Sequence, residues 1–282
     1  MPEILQYDFM VRALIGGVLV GFLAPVLGMF LVLRRFSLMA DTLSHVALAG
    51  VAIGMATSAF PTATALAAAS AGAVVVEQLR SRGKMPSDAA MAVVLYASLA
   101  VAVVVISASD GFNVDLFSFL FGSVLSISPT DLWLLAGLAV AVLLFVTVFF
   151  LELAHTSFDA DLARVTGVRA DWVNLGLAVL TGAAITLSMR VVGVLLVGAL
   201  LVVPVLAGLR LATGLRPVLG VASLLGVVSA VTGLTFAFYV DVSPGGSVVL
   251  TAVGILILVE TGAFLRRRFL STEVPVEETP IH

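Results

Sequence analysis

Long apolar runs separated by short polar intervals make up nearly the whole chain. Each run approaches the length of about 20 mostly apolar residues that an α-helix needs to cross a bilayer. We count nine candidate spans, or eight if the runs on either side of Arg190 form one helix, because no turn signal divides them. The runs cover residues 10–33, 38–58, 61–80, 88–108, 129–152, 171–189, 191–210, 217–239 and 247–265. The pattern predicts an all-α polytopic membrane protein with eight to nine transmembrane helices in a single domain over residues 1–270.

The basic residues indicate how these helices are oriented. All fourteen Lys and Arg residues except Arg12 and Arg190 fall at ends of runs that would share one side of the membrane. The cytoplasmic side of membrane proteins is enriched in Lys and Arg. We therefore expect the amino terminus outside and the carboxyl terminus in the cytoplasm, where residues 271–282 form an acidic tail.

Two polar stretches interrupt the apolar pattern. Residues 109–129 are polar at their start and too short for a full span, which predicts an external half-helix or a re-entrant segment. The longest hydrophilic interval, 152–171, lies on the predicted cytoplasmic side and contains a loop at 155–170 with helical signals. This loop is typical either of a short helix that docks a soluble partner or of an ordinary solvated connection. Its signals are Ser157 or Asp159 as a cap, Asp159 and Asp161 in the first turn, Leu162 and Val165 on an apolar side, and Gly167 at the end.

Composition narrows the available chemistry. Hydrophobic residues make up 61% of the chain and charged residues 11%, and the mean hydropathy of +1.21 exceeds that of water-soluble domains. The sequence contains no cysteine, so any metal must be bound by nitrogen or oxygen and disulfides are excluded. The only lysine, Lys84, is not part of a phosphate-binding loop of the G-x-x-x-x-G-K-[ST] type, so this chain is not expected to hydrolyse ATP in that way.

An acid and an imidazole stand four residues apart within the apolar stretch "SLMADTLSHVALAG", residues 37–50. Ionisable groups near the centre of a spanning helix cost about 3 kcal/mol each, so they seldom face lipid. On a helix, Asp41 and His45 lie about 40° apart around the axis and about 6 Å apart along it, so both can point at one ligand. Spacing alone leaves three alternatives open. In the first, the pair is structural, and Asp41 accepts a hydrogen bond from His45 or caps the helix. In the second, the pair relays protons. In the third, the pair binds a divalent cation such as zinc or manganese.

A dimer would complete such a metal site. Two ligands are too few for a closed tetrahedral site, whereas a two-fold dimer brings together two carboxylates and two imidazoles. Gly50 and Gly54 fall on nearly the opposite face of the same helix. The absence of side chains there would let neighbouring helices approach closely while the polar pair faces a cavity.

Three segments together resemble a known family. The segment "LRRFSLMADTLSHVALAGVAIG", residues 33–54, resembles the signature of the membrane subunits of ABC importers for zinc and manganese. The segments "FDADLARVTGV" (158–168) and "VVGVLLVGALLVVPVLAGLRLA" (191–212) resemble the cytoplasmic coupling segment and a late helix of that family. The resemblance extends from Leu14 to Phe264.

The resemblance implies a type II ABC importer-like permease with a cytoplasmic coupling helix, located in a bacterial or archaeal cytoplasmic (inner) membrane and not itself an enzyme. It implies a homodimer that works with two ATP-binding subunits on the cytoplasmic side and an extracytoplasmic metal-binding protein. No cofactor would be bound permanently, because the metal, Zn²⁺ or Mn²⁺, is transported. The implied metal ligands are Asp41 and His45, and the implied ATPase-coupling residues are Asp159, Asp161, Leu162, Ala163 and Gly167.

The identity of the transported metal is a separate prediction. The sequence "ADTLSHVALAG" is closer to that of the zinc members of the family. The intrinsic order of affinities of a given site for divalent metals also favours zinc over manganese. We therefore expect zinc, with manganese as the alternative. The alternative from another class is a proton-coupled secondary metal transporter in which Asp41 and His45 form the relay.

Overall fold

The computed structural model of the chain describes residues 3–81, 85–109, 119–123, 126–158 and 170–270. These residues form ten α-helices after a short 3-10 helix at Glu3–Gln6, and no strand occurs among them. The helices are α1 (Asp8–Leu33), α2 (Leu38–Ala56), α3 (Pro61–Ser81), α4 (Ser87–Ser107), α5 (Pro129–Val148), α6 (Phe150–Phe158), α7 (Ala170–Val192), α8 (Val194–Leu211), α9 (Leu215–Val240) and α10 (Pro244–Leu270).

The number of long apolar helices confirms the predicted fold class. Within the described residues, eight helices are long and apolar enough to cross a membrane, and Val197–Leu211 of α8 is a shorter apolar helix. The two runs around Arg190 are separate helices, because Gly193 interrupts them with a φ of 93°. That backbone conformation strongly favours glycine, so Gly193 is the turn signal that separates the two runs.

The fifth apolar run ends earlier than the predicted boundary at 152. The helix breaks at Phe149, and α6 continues as an amphipathic helix with Leu153, Thr156 and Ser157 buried. The prediction that Ser157 caps a helix is therefore wrong. Ser157 lies in the last turn of α6, where its hydroxyl donates to the Leu153 carbonyl four residues earlier.

α1 lies at the centre of the bundle, and other helices lie at its edge. Of the apolar window of α1, 72% is buried, compared with 11% for α10. α1 packs on α5, α7, α8 and α9, while α2 packs on α3, α4, α7 and α8. The contact between α1 and α9 is close because a Cβ at Gly21 would lie 2.6 Å from the Gly226 carbonyl oxygen. The exposed apolar surface of the outer helices suits contact with lipid.

Aromatic and basic side chains gather at one end of the bundle, which we call the basic end. Arg80 stacks on Phe36 at 5.3 Å from the ring centre, and Arg216 stacks on Phe150 at 5.2 Å. This grouping agrees with the prediction that most basic residues share one side of the membrane. The side of the membrane that the basic end faces remains a prediction. The tail, 271–282, lies outside the described residues.

Candidate functional site

The predicted metal ligands lie on one unbroken helix. α2 runs from Leu38 to Ala56, so Asp41 in its first turn and His45 in its second share a face. In the single chain the Asp41 side chain is exposed and that of His45 is partly exposed. The neighbouring helices therefore leave this polar face open to a ligand or to another surface.

The hydrogen bonds expected for a purely structural pair do not form among the described residues. Nδ1 of His45 is buried and has no hydrogen-bond partner there. The Ser37 side chain makes no capping hydrogen bond at the start of α2. A buried polar atom without a partner costs about 1 to 3 kcal/mol, so this orphaned nitrogen favours a ligand at the site. A carboxylate and an imidazole are together suited to a divalent cation.

Gly198 on α8 lies directly beside the carboxylate. A Cβ at this position would lie 2.5 Å from Oδ1 of Asp41, so only glycine leaves the carboxylate where it is. Our sequence interpretation missed this residue. A glycine inside a helix is unfavourable by about 1 kcal/mol relative to alanine, and that local cost is the signal that identifies such a close approach.

The opposite face of α2 packs tightly, as predicted. A Cβ at Gly50 would lie 2.7 Å from Cα of Ala65 and 2.7 Å from Cβ of Ala68, both on α3. A Cβ at Gly54 would lie 3.0 Å from Cα of Pro61. The missing side chains therefore bring the backbones of α2 and α3 together, and the glycine face has no room for a ligand.

The polar part of the Asp41 face is short. Leu48 and Ala52, which continue that face along the helix, are buried. Leu48 belongs to an apolar cluster that includes Phe119, Met189 and Val194. Beyond His45, this face of α2 is therefore covered by apolar side chains of the same chain.

A charged pair that the sequence interpretation also missed lies at the other end of the bundle. Nη1 of Arg190 on α7 donates to both carboxylate oxygens of Asp131 on α5, at 2.9 and 3.2 Å. Asp131 also forms a capping box with Ser128 at the start of α5. A Ser-x-x-Asp pattern before an apolar run signals the cap, but nothing in the sequence pairs Asp131 with an arginine 59 positions away. The guanidinium lies 5.6 Å from the ring centre of Phe119.

Several predicted residues are not part of the polar pair. The ATPase-coupling residues Asp159, Asp161, Leu162, Ala163 and Gly167 lie outside the described residues, so their role stays a prediction. His155 is exposed on α6. Within the described residues, no three His, Asp or Glu side chains group closely enough to hold a metal ion. Among the described residues, one chain therefore offers at most two candidate ligands at this site, Asp41 and His45.

Comparison with known proteins gives matches along nearly the full length. A family model described as "ABC 3 transport family" matches residues 6–262. The chain is 36% identical over 255 residues to the "Probable metal transport system membrane protein" of Treponema pallidum, which covers 90% of this chain and 96% of that protein. It is 32% identical to the "Manganese transport system membrane protein MntC" of Halalkalibacterium halodurans, over 89% of this chain and 86% of that protein. It is 30% identical to the "Manganese import system permease protein ScaB" of Streptococcus gordonii, over 95% and 96% respectively.

The fold is similar to a solved structure as well. A chain of the structure titled "PsaBC from Streptococcus pneumoniae in complex with Fab" matches with a TM-score of 0.81 and 30% sequence identity. The match covers 91% of this chain and 92% of that chain. The overall arrangement of the helices is therefore shared with that solved chain.

Proposed function

Because the chain belongs to the ABC 3 transport family, we propose that it forms the membrane pathway of an ATP-driven importer whose cargo is manganese. The resemblance to permeases of metal importers is confirmed by this family and by the full-length relatives. The prediction that the chain is a transport subunit and not itself an enzyme is also confirmed by those relatives. The metal, its ligands and the assembly are the proposal.

Manganese replaces zinc as the favoured cargo. Two relatives that span most of this chain are named as manganese permeases, and these names support the alternative over the zinc prediction. The chemistry of the site allows this choice. Carboxylate oxygen suits manganese and imidazole suits zinc, so a site with both does not exclude either ion by ligand type. The tighter intrinsic binding of zinc also matters less in a transport site, because the ion must leave.

The cargo ligands are Asp41 and His45 from two copies of the chain. The observation that carries this assignment is the open face of α2, which holds the exposed carboxylate of Asp41 and the partly exposed ring of His45. The buried Nδ1 of that ring has no hydrogen-bond partner among the described residues. An exposed carboxylate in a spanning helix is costly in contact with lipid, so this face needs water, an ion or a second protein surface. A two-fold axis beside α2 would supply all three and would double the ligand set to four.

The partners and the orientation follow from the same proposal. Two ATP-binding subunits dock at the basic end through the segment 159–167, and a metal-binding protein delivers the ion at the other end. The basic end then faces the cytoplasm, as the distribution of Lys and Arg indicates. The proposed ATPase-coupling residues remain Asp159, Asp161, Leu162, Ala163 and Gly167.

Uptake into proteoliposomes tests the function. The assembled complex, loaded with metal through its binding protein, should accumulate Mn²⁺ only with ATP and should do so after the proton gradient is collapsed. An equimolar mixture of Mn²⁺ and Zn²⁺ should yield more accumulated manganese than zinc. Accumulation that requires a proton gradient and no ATPase would instead support the secondary transporter, and preferential accumulation of zinc would overturn the metal assignment.

A further inference from the structure

Arg34 joins three helices at the basic end. Its Nε donates to the Ser157 hydroxyl at 3.1 Å, and its Nη2 donates to the Thr156 hydroxyl at 2.5 Å and to the Leu153 carbonyl at 3.4 Å. Its Nη1 donates to the side-chain oxygen of Asn174 on α7. One side chain at the end of α1 thus holds the last turn of α6 and the beginning of α7.

The acceptors of this arginine are hydroxyl, amide and carbonyl oxygens. The pKa of Arg34 is lowered to about 10, chiefly by burial and also by the neighbouring charge of Arg80, while the charge of Glu77 acts in the opposite direction. The side chain therefore remains a cation at neutral pH. Hydrogen bonds to a charged group are stronger than those between neutral groups, so the attachment of α6 depends strongly on this guanidinium.

α6 has few other buried anchors. Its buried side chains are Leu153, Thr156 and Ser157, and Arg34 binds the hydroxyls of the last two. An open cavity of about 440 Å³ lies beside this contact and is lined in part by Arg34 and Phe158. The cavity borders the contact between α6 and Arg34, so a shift of the end of α6 would act directly on Arg34.

Arg34 also begins the loop that joins α1 to α2, and this loop contacts α3. Residues 34–37 join α1 to α2, and Phe36 in this loop lies under the guanidinium of Arg80. Arg80 in turn pairs with Glu77 on α3, with Nε to Oε2 at 3.0 Å. Asp41 follows in the first turn of α2. The loop thus connects the end of α6 to the beginning of the helix that carries the polar pair.

We propose that Arg34 is a positioning residue that transmits movement of α6 to α2 and so to Asp41 and His45. The inference rests on the proposed function in one respect, since α6 immediately precedes the segment 159–167 that would dock the ATPase. Arg34 does not contact the ion. Its role is to make the polar face of α2 respond when the ATP-binding subunits close.

Transport efficiency in the assembled complex gives the first test. Arg34→Gln should lower the Mn²⁺ accumulated per ATP hydrolysed by about fivefold or more, while equilibrium Mn²⁺ binding stays unchanged. Arg34→Lys, which keeps the charge but loses the fork of donors, should give an intermediate value. The control is Arg35→Asn, because Arg35 is exposed with a φ of 61°, which asparagine tolerates, and its loss should have no effect. Equal effects of the substitutions at 34 and 35 would overturn the proposal.

A second measurement does not depend on the identity of the cargo. The sequence lacks cysteine, and Leu38 at the start of α2 is 42% exposed in the single chain, so Leu38→Cys introduces the one thiol of this chain. The rate at which this thiol reacts with a maleimide should change when ATP binds, and Arg34→Gln should abolish that change. A retained change in the variant, or no change with Arg34 intact, would overturn the proposal even if manganese transport were demonstrated.

If Arg34→Gln prevents assembly of the complex, the hydroxyl groups that accept hydrogen bonds from Arg34 can be removed instead. Thr156→Val together with Ser157→Ala deletes two partners of the guanidinium and nearly preserves side-chain volume. This double variant should lower transport per ATP by about threefold or more and should weaken the ATP-dependent thiol change. An assembled double variant with normal values in both assays would contradict the proposed role.

Discussion

The two faces of α2 use the same helix in opposite ways. On one face, Gly50 and Gly54 bring the α3 backbone so close that a Cβ at Gly50 would meet backbone and Cβ atoms at 2.7 Å. On the other face, Asp41 and His45 remain at least partly open, and Nδ1 of His45 lacks a partner within the described residues. The packed face holds α2 against α3, and the open face holds the two proposed ligands. The proposed ligands are therefore not used for the packing of α2 on α3.

Removing the carboxylate should produce the largest effect on function and little effect on folding. Asp41→Ala should lower ATP-driven Mn²⁺ accumulation by at least about a hundredfold, because even the partners that support metal ligands contribute 10- to 100-fold. The midpoint of thermal unfolding should stay at or above that of the unsubstituted complex. Normal uptake by a correctly assembled variant would show that Asp41 is not a ligand.

Filling the packed face should instead damage stability. Gly50→Ala places a methyl group against backbone atoms of α3, which cannot yield as a flexible side chain would, and should cost about 1 to 3 kcal/mol. Thermal unfolding of the purified protein in detergent measures the loss. The matched control is Gly137→Ala on α5, where an added Cβ meets no atom within 4 Å. Equal stability of the two variants would contradict the close packing.

Gly198→Ala distinguishes an effect on packing from an effect on function, because this tightly packed glycine on α8 lies against the proposed ligand Asp41. The added methyl group would lie 2.5 Å from Oδ1 of Asp41, and this exposed carboxylate is able to swing away. We expect uptake to fall by about tenfold with an unfolding midpoint close to that of the unsubstituted protein. A large loss of stability with uptake retained would assign Gly198 to packing instead.

The smallest effect is expected at the exposed histidine of α6. His155→Ala should leave uptake within error of the unsubstituted complex, whereas His45→Ala should lower it strongly, because only His45 shares a face with Asp41. Both substitutions remove the same side chain, so the pair controls for general effects of losing an imidazole. A similar loss in both variants would place the metal path elsewhere.

The sequence predicted the faces of α2 because helical periodicity is a local property. Asp41, His45, Gly50 and Gly54 lie within 14 consecutive positions of one helix, so their relative directions follow from 3.6 residues per turn. The number of helices followed from apolar length for the same reason. The break between α7 and α8 could have been predicted from Gly193. It was missed because the residues on both sides of this glycine are apolar.

The missed contacts join residues that are distant in the sequence. Gly198 meets Asp41 across α8 and α2, and Arg34 meets Ser157 across 123 positions. No local pattern in a single sequence indicates which arginine faces which hydroxyl. The residues of the site do not distinguish zinc from manganese either, because Asp and His suit both ions. The names of the relatives favour manganese.

Manganese binding by the purified protein tests whether two chains share one metal site. Equilibrium titration followed by the electron paramagnetic resonance of Mn²⁺ counts the bound ions and detects nitrogen ligands through their hyperfine coupling. We expect one ion per two chains, a nitrogen coupling that disappears in His45→Ala, and no binding in Asp41→Ala. One ion per chain, or binding that survives both substitutions, would contradict a shared site on the open face of α2.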